Sequence, residues 1–178
     1  MNELQSLEKK GHIDLFYGDE SGFSLNCVIP YAWQFPGQTI EILPQKGKTL
    51  NVLGFMNAAG DRLSTFVKTG SIKADFVIRA VDTFADSLTK ITVLVLDNAR
   101  IHHAQTFQNA IPKWEEKGLY IFYLPAYSPH LNRIETLWRQ AKYRWIKPED
   151  YQSLGFLETA LDKIWESFGT EYKINFKN

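Results

Sequence analysis

The sequence predicts an α/β fold in which a mixed sheet of about five strands carries helices on both faces. Three observations predict it. Ile91–Leu96 is an unbroken apolar run, the pattern of a strand buried on both sides. Thr49–Asn57 and Arg62–Lys68 flank Gly60-Asp61, which supplies the turn of a hairpin. Further along, segments of helical spacing alternate with short apolar runs, the order from which helices come to cover a sheet. The first three strands are expected to be antiparallel.

Each element has its own justification. Residues 13–19 (IDLFYGD) read as a strand rich in aromatic and aliphatic side chains. A loop with Pro30, Pro36 and Gly37 follows, in which Tyr31, Trp33 and Phe35 alternate. From Lys73 to Leu88, the residues Val77, Ala80, Val81, Phe84 and Leu88 recur at helical spacing. His103–Lys117 reads as a helix through Phe107, Ile111 and Trp114, with Pro112 expected to kink or break it. Tyr120–Leu124 is another short buried strand. Ser128 is expected to cap a helix with Pro129 at its first position, running to Ile146 and closed by Lys147-Pro148. Ser153–Phe168 completes the series with Leu154, Leu157, Leu161, Ile164 and Phe168 on one face. No internal repeat or linker interrupts the chain. Residues 1–12 read as a lead-in and 13–178 as a single domain.

Composition narrows the class. With 178 residues, 44% hydrophobic and 22% charged, the chain can build one globular core and is not a disordered tract. No apolar run is long enough to span a bilayer, and Met1–Lys10 lacks the apolar stretch of a signal peptide. The single cysteine, Cys27, excludes an internal disulfide and a cysteine-cluster metal site, so a reducing cytoplasm is the expected location. Twenty basic and 20 acidic residues give no net charge. Any nucleic-acid binding must therefore come from local patches or from other parts of a larger assembly.

Three carboxylates occupy telling positions. Asp19 ends the first strand and Asp97 ends the central apolar strand, and ligand chemistry in open α/β sheets gathers just beyond strand ends. Glu135 lies in the expected Pro129–Ile146 helix. At 100° per residue, Leu131, Ile134, Leu137, Trp138, Ala141 and Trp145 fall within an arc of about 120° that faces the core. Asn132, Glu135, Arg139 and Lys142 form a separate polar stripe about 80° wide. Two acids on strand ends and a third on a facing helix suit two-metal phosphoryl chemistry, in which Mg²⁺ takes oxygen ligands and leaves positions for substrate phosphates. Plainer readings stay open at this point. Asp19 serves equally as a turn residue, Asp97-Asn98 as a helix cap, and Glu135 as the partner of Arg139 one turn on.

The surrounding residues carry a resemblance. Leu96-Asp97-Asn98-Ala99-Arg100-Ile101-His102 resembles the second-aspartate motif of mariner-like transposases and their bacterial insertion-sequence relatives. The stretch from Leu124 to Trp138 (LPAYSPHLNRIETLW) is similar to that family's third-acid motif. Gly18-Asp19-Glu20-Ser21, followed by Trp33 and Gly37, resembles its first-aspartate region. The three occur in the family's order, over about residues 13–147. The resemblance implies an RNase H-like fold and a DDE catalytic triad, with Asp19, Asp97 and Glu135 as metal ligands for Mg²⁺ or Mn²⁺. It implies cleavage at transposon ends followed by attack of the freed 3′-hydroxyl on target DNA. It also implies DNA as partner and a possible homodimer, while the lack of a spanning apolar run leaves no membrane association expected. Asn98, His102 and Asn132 become candidate supporting residues, His102 as a group orienting a phosphate or the attacking water. Two departures stand out. Arg133 replaces the proline common before the Ile-Glu pair, a change suited to a helix interior. Only 18 residues precede Asp19, so the helix-turn-helix modules of such transposases are expected to be absent or supplied by a separate polypeptide.

Other residues are assigned more modest roles. Lys46, Lys48, Arg139, Lys142, Arg144 and Lys147 are candidate phosphate contacts, and Trp33 and Tyr127 are candidates for stacking on bases. His103 and His130 are expected to face solvent. Glu20 should point away from Asp19, since neighbours on a strand face opposite sides. Crowded acids should raise one another's pKa values, so Asp97→Asn should leave the metal-free fold equally or more stable. Two rivals to the transposase reading are a catalytically silent remnant that binds DNA or a partner, and a hydrolytic nuclease without strand transfer.

Overall fold

A computed structural model describes residues 1–26, 35–37, 49–125 and 128–176. Five strands form one sheet: β1 (Asp14–Phe23), β2 (Leu50–Asn57), β3 (Leu63–Thr69), β4 (Thr92–Leu96) and β5 (Leu119–Tyr123), in the spatial order β3-β2-β1-β4-β5. β1 is central, antiparallel to β2 and parallel to β4, while β3 is antiparallel to β2 and β5 parallel to β4. The expected mixed sheet, antiparallel in its first three strands, is present.

The two faces of the sheet are covered by different helices. Alternate residues of β1 show the division, because successive side chains on a strand point to opposite faces. Leu15 and Tyr17 face a core shared with α4 (Ile134–Gln140) and α5 (Leu154–Glu166), through Ile134, Leu137, Leu157, Leu161 and Ile164. Phe16 faces the other core, shared with α2 (Ala74–Asp86) and α3 (Gln105–Glu116), through Val77, Val81, Phe84, Phe107 and Trp114. Every residue of β4 is buried, as its apolar run predicts for a strand covered on both sides. The β2–β3 turn is held by Asn57, whose Oδ1 accepts from the backbone N–H groups of Gly60, Asp61 and Arg62 at 3.1, 3.0 and 2.9 Å. Gly60 takes φ +77°, a conformation that a side chain disfavours. Ser153 caps α5 by accepting from the Phe156 N–H at 3.2 Å.

The structure corrects three expectations. The lead-in contains a helix, α1 (Asn2–Lys9), whose Leu4 and Leu7 rest against the core although no residue of it is fully buried. Pro112 does not break α3, which runs on to Glu116. Phe107 and Trp114, both fully buried, anchor the helix on either side of the proline, and the Trp114 indole donates to Asp82 of α2 at 2.9 Å. The single helix expected over Pro129–Ile146 is instead a 3₁₀ turn (Pro129–Leu131), then α4, then a π-helical turn (Ala141–Trp145). The break after Leu131 is made by Asn132, which turns inward, buried, and donates from Nδ2 to the Gly18 carbonyl at 3.2 Å.

Candidate active site

Asp19 lies in β1 opposite Gly54 of β2. A Cβ at Gly54 would come within 2.7 Å of the Trp138 ring, so the missing side chain is what lets that indole lie against β2. From there Trp138 Nε1 donates to Asp19 Oδ2 at 3.0 Å. Phe23 and Trp165 meet the indole edge-on and fix its plane. Burial raises the Asp19 pKa to about 7, with the negative charges of Glu135 and Asp97 adding to the rise. The hydrogen bonds from the Glu20 backbone and from Trp138 oppose it.

The parallel register between β1 and β4 ends at Tyr17 opposite Val95. Continued by two residues, it places Asp19 beside Asp97, and Gly18 beside Leu96. The latter proximity is direct, since a Cβ at Gly18 would sit 2.6 Å from Leu96 Cδ2. The Asp97 carboxylate is half-exposed and meets His102 Nδ1 at 3.1 Å. Its Oδ1 also accepts from the Ala99 N–H at 3.2 Å, but neither Asp97 nor Asn98 caps the helical turn that follows, which begins after Ala99 without a side-chain cap. The hydrogen bond from His102 holds the Asp97 pKa below the ordinary carboxylate value. The expectation that crowding raises all three acids is thus corrected for Asp97: the bond from the imidazole outweighs the cost of its partial burial.

His102 itself is buried. Nδ1 also lies 3.1 Å from the Asp97 carbonyl, while Nε2 is buried without a partner. Gln108 Nε2 and the Tyr123 hydroxyl donate to its backbone carbonyl at 2.6 and 3.1 Å. Asn98 is exposed and its Oδ1 contacts His103 Nε2.

Glu135, on the first turn of α4, is exposed and shares with Asp19 an open cleft of about 910 Å³. Arg139 and Lys142 line the same cleft, so all four residues expected in the polar stripe border it. Asn132, the fourth, lines it from the turn before the helix, and its Oδ1 is buried without a partner. No ion pair joins Glu135 to Arg139 among the described residues. Lys142 Nζ sits 5.2 Å over the Phe23 ring; burial lowers its pKa, while Glu135 and Asp19 pull it back up. Glu20 also lines the cleft, with its pKa raised by burial and lowered in turn by His102.

The cleft does not gather every expected residue. Asp97 is not among its lining residues, and no three His, Cys, Asp or Glu groups among the described residues stand close enough to hold a metal ion. Arg144 is exposed but off the cleft. His103 and His130 are exposed, as expected, and His130 lines the cleft. Lys46, Lys48, Trp33 and Tyr127 lie outside the described residues. Arg133 is not in a helix interior: it precedes α4, donates to the Ala58 carbonyl at 2.7 Å and covers the Phe176 ring at 4.9 Å.

The family model for the DDE superfamily endonuclease matches residues 14–158. The chain belongs to that family. Its DDE domain is 27% identical over 131 residues to the insertion element IS630 uncharacterized 39 kDa protein of Shigella sonnei, a match spanning 70% of this chain and 36% of that protein. In structure it is similar to the Mos1 strand transfer complex (TM-score 0.60, 17% identity, 93% of this chain and 51% of that one). It is also similar to the Mos1 mariner paired-end complex with Mn (0.59, 20%, 93% and 52%). The HTLV-2 integrase catalytic core domain in complex with magnesium gives 0.50 at 13% identity, over 86% of this chain and 82% of that one. These likenesses concern the fold, which is RNase H-like. The DDE domain spans about half of the Mos1 chains and about a third of the IS630 protein.

Sequence reading missed what Trp138 does in this DDE domain. It assigned Trp138 to the core stripe, yet the side chain is both core and the donor to Asp19. The signal was available, because a buried indole N–H needs an acceptor and the helix carrying it also carries Glu135.

Proposed function

We propose that this domain cleaves DNA at transposon ends and joins the freed 3′-hydroxyl to target DNA, with Asp19, Asp97 and Glu135 holding Mg²⁺ or Mn²⁺. The observation that carries the reading is the pair formed by Asp19 and Glu135 across one cleft. Asp19 is desolvated and pushed up to about 7 by burial and by the Glu135 charge, and that cost is relieved by a cation between them. The donor set fits a hard divalent ion, being carboxylate oxygen beside a buried amide, Asn132, whose Oδ1 has no hydrogen-bond partner. When bound, the ion would polarise a phosphodiester and activate the attacking oxygen.

The chain's own residues supply the remainder. Trp138 holds Oδ2 of Asp19 and fixes the orientation of the carboxylate. Arg139 and Lys142 offer positive charge to the phosphates of a strand lying in the cleft. His102, bonded at Nδ1, orients the Asp97 carboxylate. Similar structures support this choice of ion: a Mos1 paired-end complex with Mn and an integrase catalytic core in complex with magnesium.

A second reading, a DNA- or partner-binding module without catalysis, is favoured by one observation: the three acids are not drawn to metal-binding distance. Calorimetric titration of Mn²⁺ into the wild type and Asp97→Asn, followed by cleavage and strand-transfer assays with pre-cleaved ends, decides between them. Saturable binding lost in the variant, with joined product, supports the transferase; cleaved but unjoined product supports a hydrolytic nuclease. Binding of DNA with no Mn²⁺ binding and no cleavage supports the silent module.

A further inference from the structure

Beyond α4 the backbone widens. Ile146 N–H bonds to the Ala141 carbonyl at 3.1 Å, a five-residue step where an α-helix takes four. The wider turn alters which side chains reach the cleft. On a continuous α-helix Tyr143 would stand ~80° around the axis from Glu135, off the polar stripe. At the ~80° per residue of a π-turn it moves to within ~30° of Glu135. Lys142 swings the other way, to ~55°, so the two flank the Glu135 direction. The structure agrees: Tyr143 lines the same cleft as Asp19, Glu135, Arg139 and Lys142.

The Tyr143 ring is 50% exposed. Its aromatic neighbours in the chain are committed elsewhere. Trp145 packs edge-on against Phe168 and Tyr172, and Trp138 lies between Phe23 and Trp165. A half-exposed ring in a cleft that also carries Arg139 and Lys142 offers a π-face to a planar base, with cations in the same cleft for the adjoining phosphates.

We propose that Tyr143 is a stacking platform for an unpaired base at a DNA end, presented to the cleft by the π-turn, with Arg139 and Lys142 holding the flanking phosphates. The inference deepens the DNA-end reading above and rests on it for the identity of the strand. It concerns binding, and is therefore tested without divalent metal. The probes are a short DNA duplex with about three unpaired nucleotides at one 3′ end, carrying a fluorescent 2-aminopurine there, and the same duplex with a blunt end. Wild type is expected to hold the extended duplex about tenfold more tightly than the blunt one and to quench the probe. Tyr143→Phe keeps both effects because the ring remains. Tyr143→Ala loses the quenching and the preference while still binding blunt duplex as wild type does. A wild type without preference for the extension, or a Tyr143→Ala variant that retains it, overturns the proposal. Quenching and preference without any Mn²⁺-dependent cleavage uphold the platform and remove the nuclease reading; cleavage without them does the reverse.

Discussion

The indole N–H of Trp138 donates to Asp19 Oδ2 at 3.0 Å, and the room for that indole comes from Gly54, directly across the ladder from Asp19. A core side chain and a candidate metal ligand are thus one unit. Trp138→Phe keeps most of the packing and removes the donor, leaving a buried acceptor unmet. The expected loss is about 1–3 kcal/mol in urea unfolding, together with weaker Mn²⁺ binding. Gly54→Ala, which forces a Cβ onto the ring, should cost a similar ~1–3 kcal/mol without touching any carboxylate. An unchanged unfolding midpoint for both variants would show that the indole is not held as described.

Asp19 makes stability depend on pH in an uncommon direction. Its folded pKa of about 7 lies above the ordinary value of 3.8, so between those limits the native state binds the extra proton. The fold is therefore favoured most below pH 4 by this group, and its contribution is lost as pH rises toward and through 7. Asp19→Asn keeps an acceptor for Trp138 and cannot ionise. It should be more stable than wild type above pH 7 by on the order of 2–4 kcal/mol, with the gap closing near pH 4. Thermal melts across that range measure it, and parallel curves for the two proteins would contradict the assignment.

Asp97 runs the other way. The bond from His102 holds its pKa low, so what it adds to stability is present above the usual carboxylate pKa and disappears as pH falls through the lowered one. Its side chain is 51% exposed, so screening keeps that contribution to well under ~1 kcal/mol. Asp97→Asn still offers His102 an oxygen and should melt within about 0.5 kcal/mol of wild type, while abolishing Mn²⁺-dependent cleavage. Loss of folding, or survival of cleavage, would each count against Asp97 as a ligand.

Divalent metal should stabilise the protein most where Asp19 is otherwise costly. Saturating Mn²⁺ is expected to raise the melting temperature of wild type more at pH 8 than at pH 5.5, because protons compete for the same oxygens. Chelation should reverse the shift, and Asp19→Asn should show little of it. A shift independent of pH would point to binding elsewhere.

Arg133 offers a test remote from the acids. Arg133→Ala removes the bond to the Ala58 carbonyl and the cover over Phe176, at an expected cost of about 1–2 kcal/mol in urea unfolding. Arg133→Lys should recover little, since a point charge cannot reproduce the planar contact.

The elements that were legible in the sequence are those whose burial is one-dimensional. The Val93–Leu96 run, the Gly60-Asp61 turn and the Leu157–Ile164 face each declare their surroundings through period and composition. The stretch from Pro129 to Ile146 did not, because its breaks answer to distant partners. Asn132 turns toward a carbonyl 114 residues away, and the π-turn lets Ile146 bury itself while Trp145 reaches Tyr172. Motif resemblance named Asp19, Asp97 and Glu135 without those details, but it carried no sign that Asp97 would be engaged by His102 or that Tyr143 would enter the cleft. α1 was overlooked because a short, mostly polar helix with only Leu4 and Leu7 inward has a weak pattern.

The register between β1 and β4 acts as a ruler. Asp19 and Asp97 each follow the last paired rung, Tyr17 opposite Val95, by two residues, so the distance between their attachment points follows from the ~4.8 Å strand spacing rather than from any side-chain fit. Changes in the turns that join β2 to β3 or α2 to β4 leave that gauge unaltered, provided β1 and β4 still pair. Glu135 enjoys no such insulation. It is set by how α4 seats on the sheet, so drift in this domain should fall first on the helix-borne acid and last on the strand-borne pair.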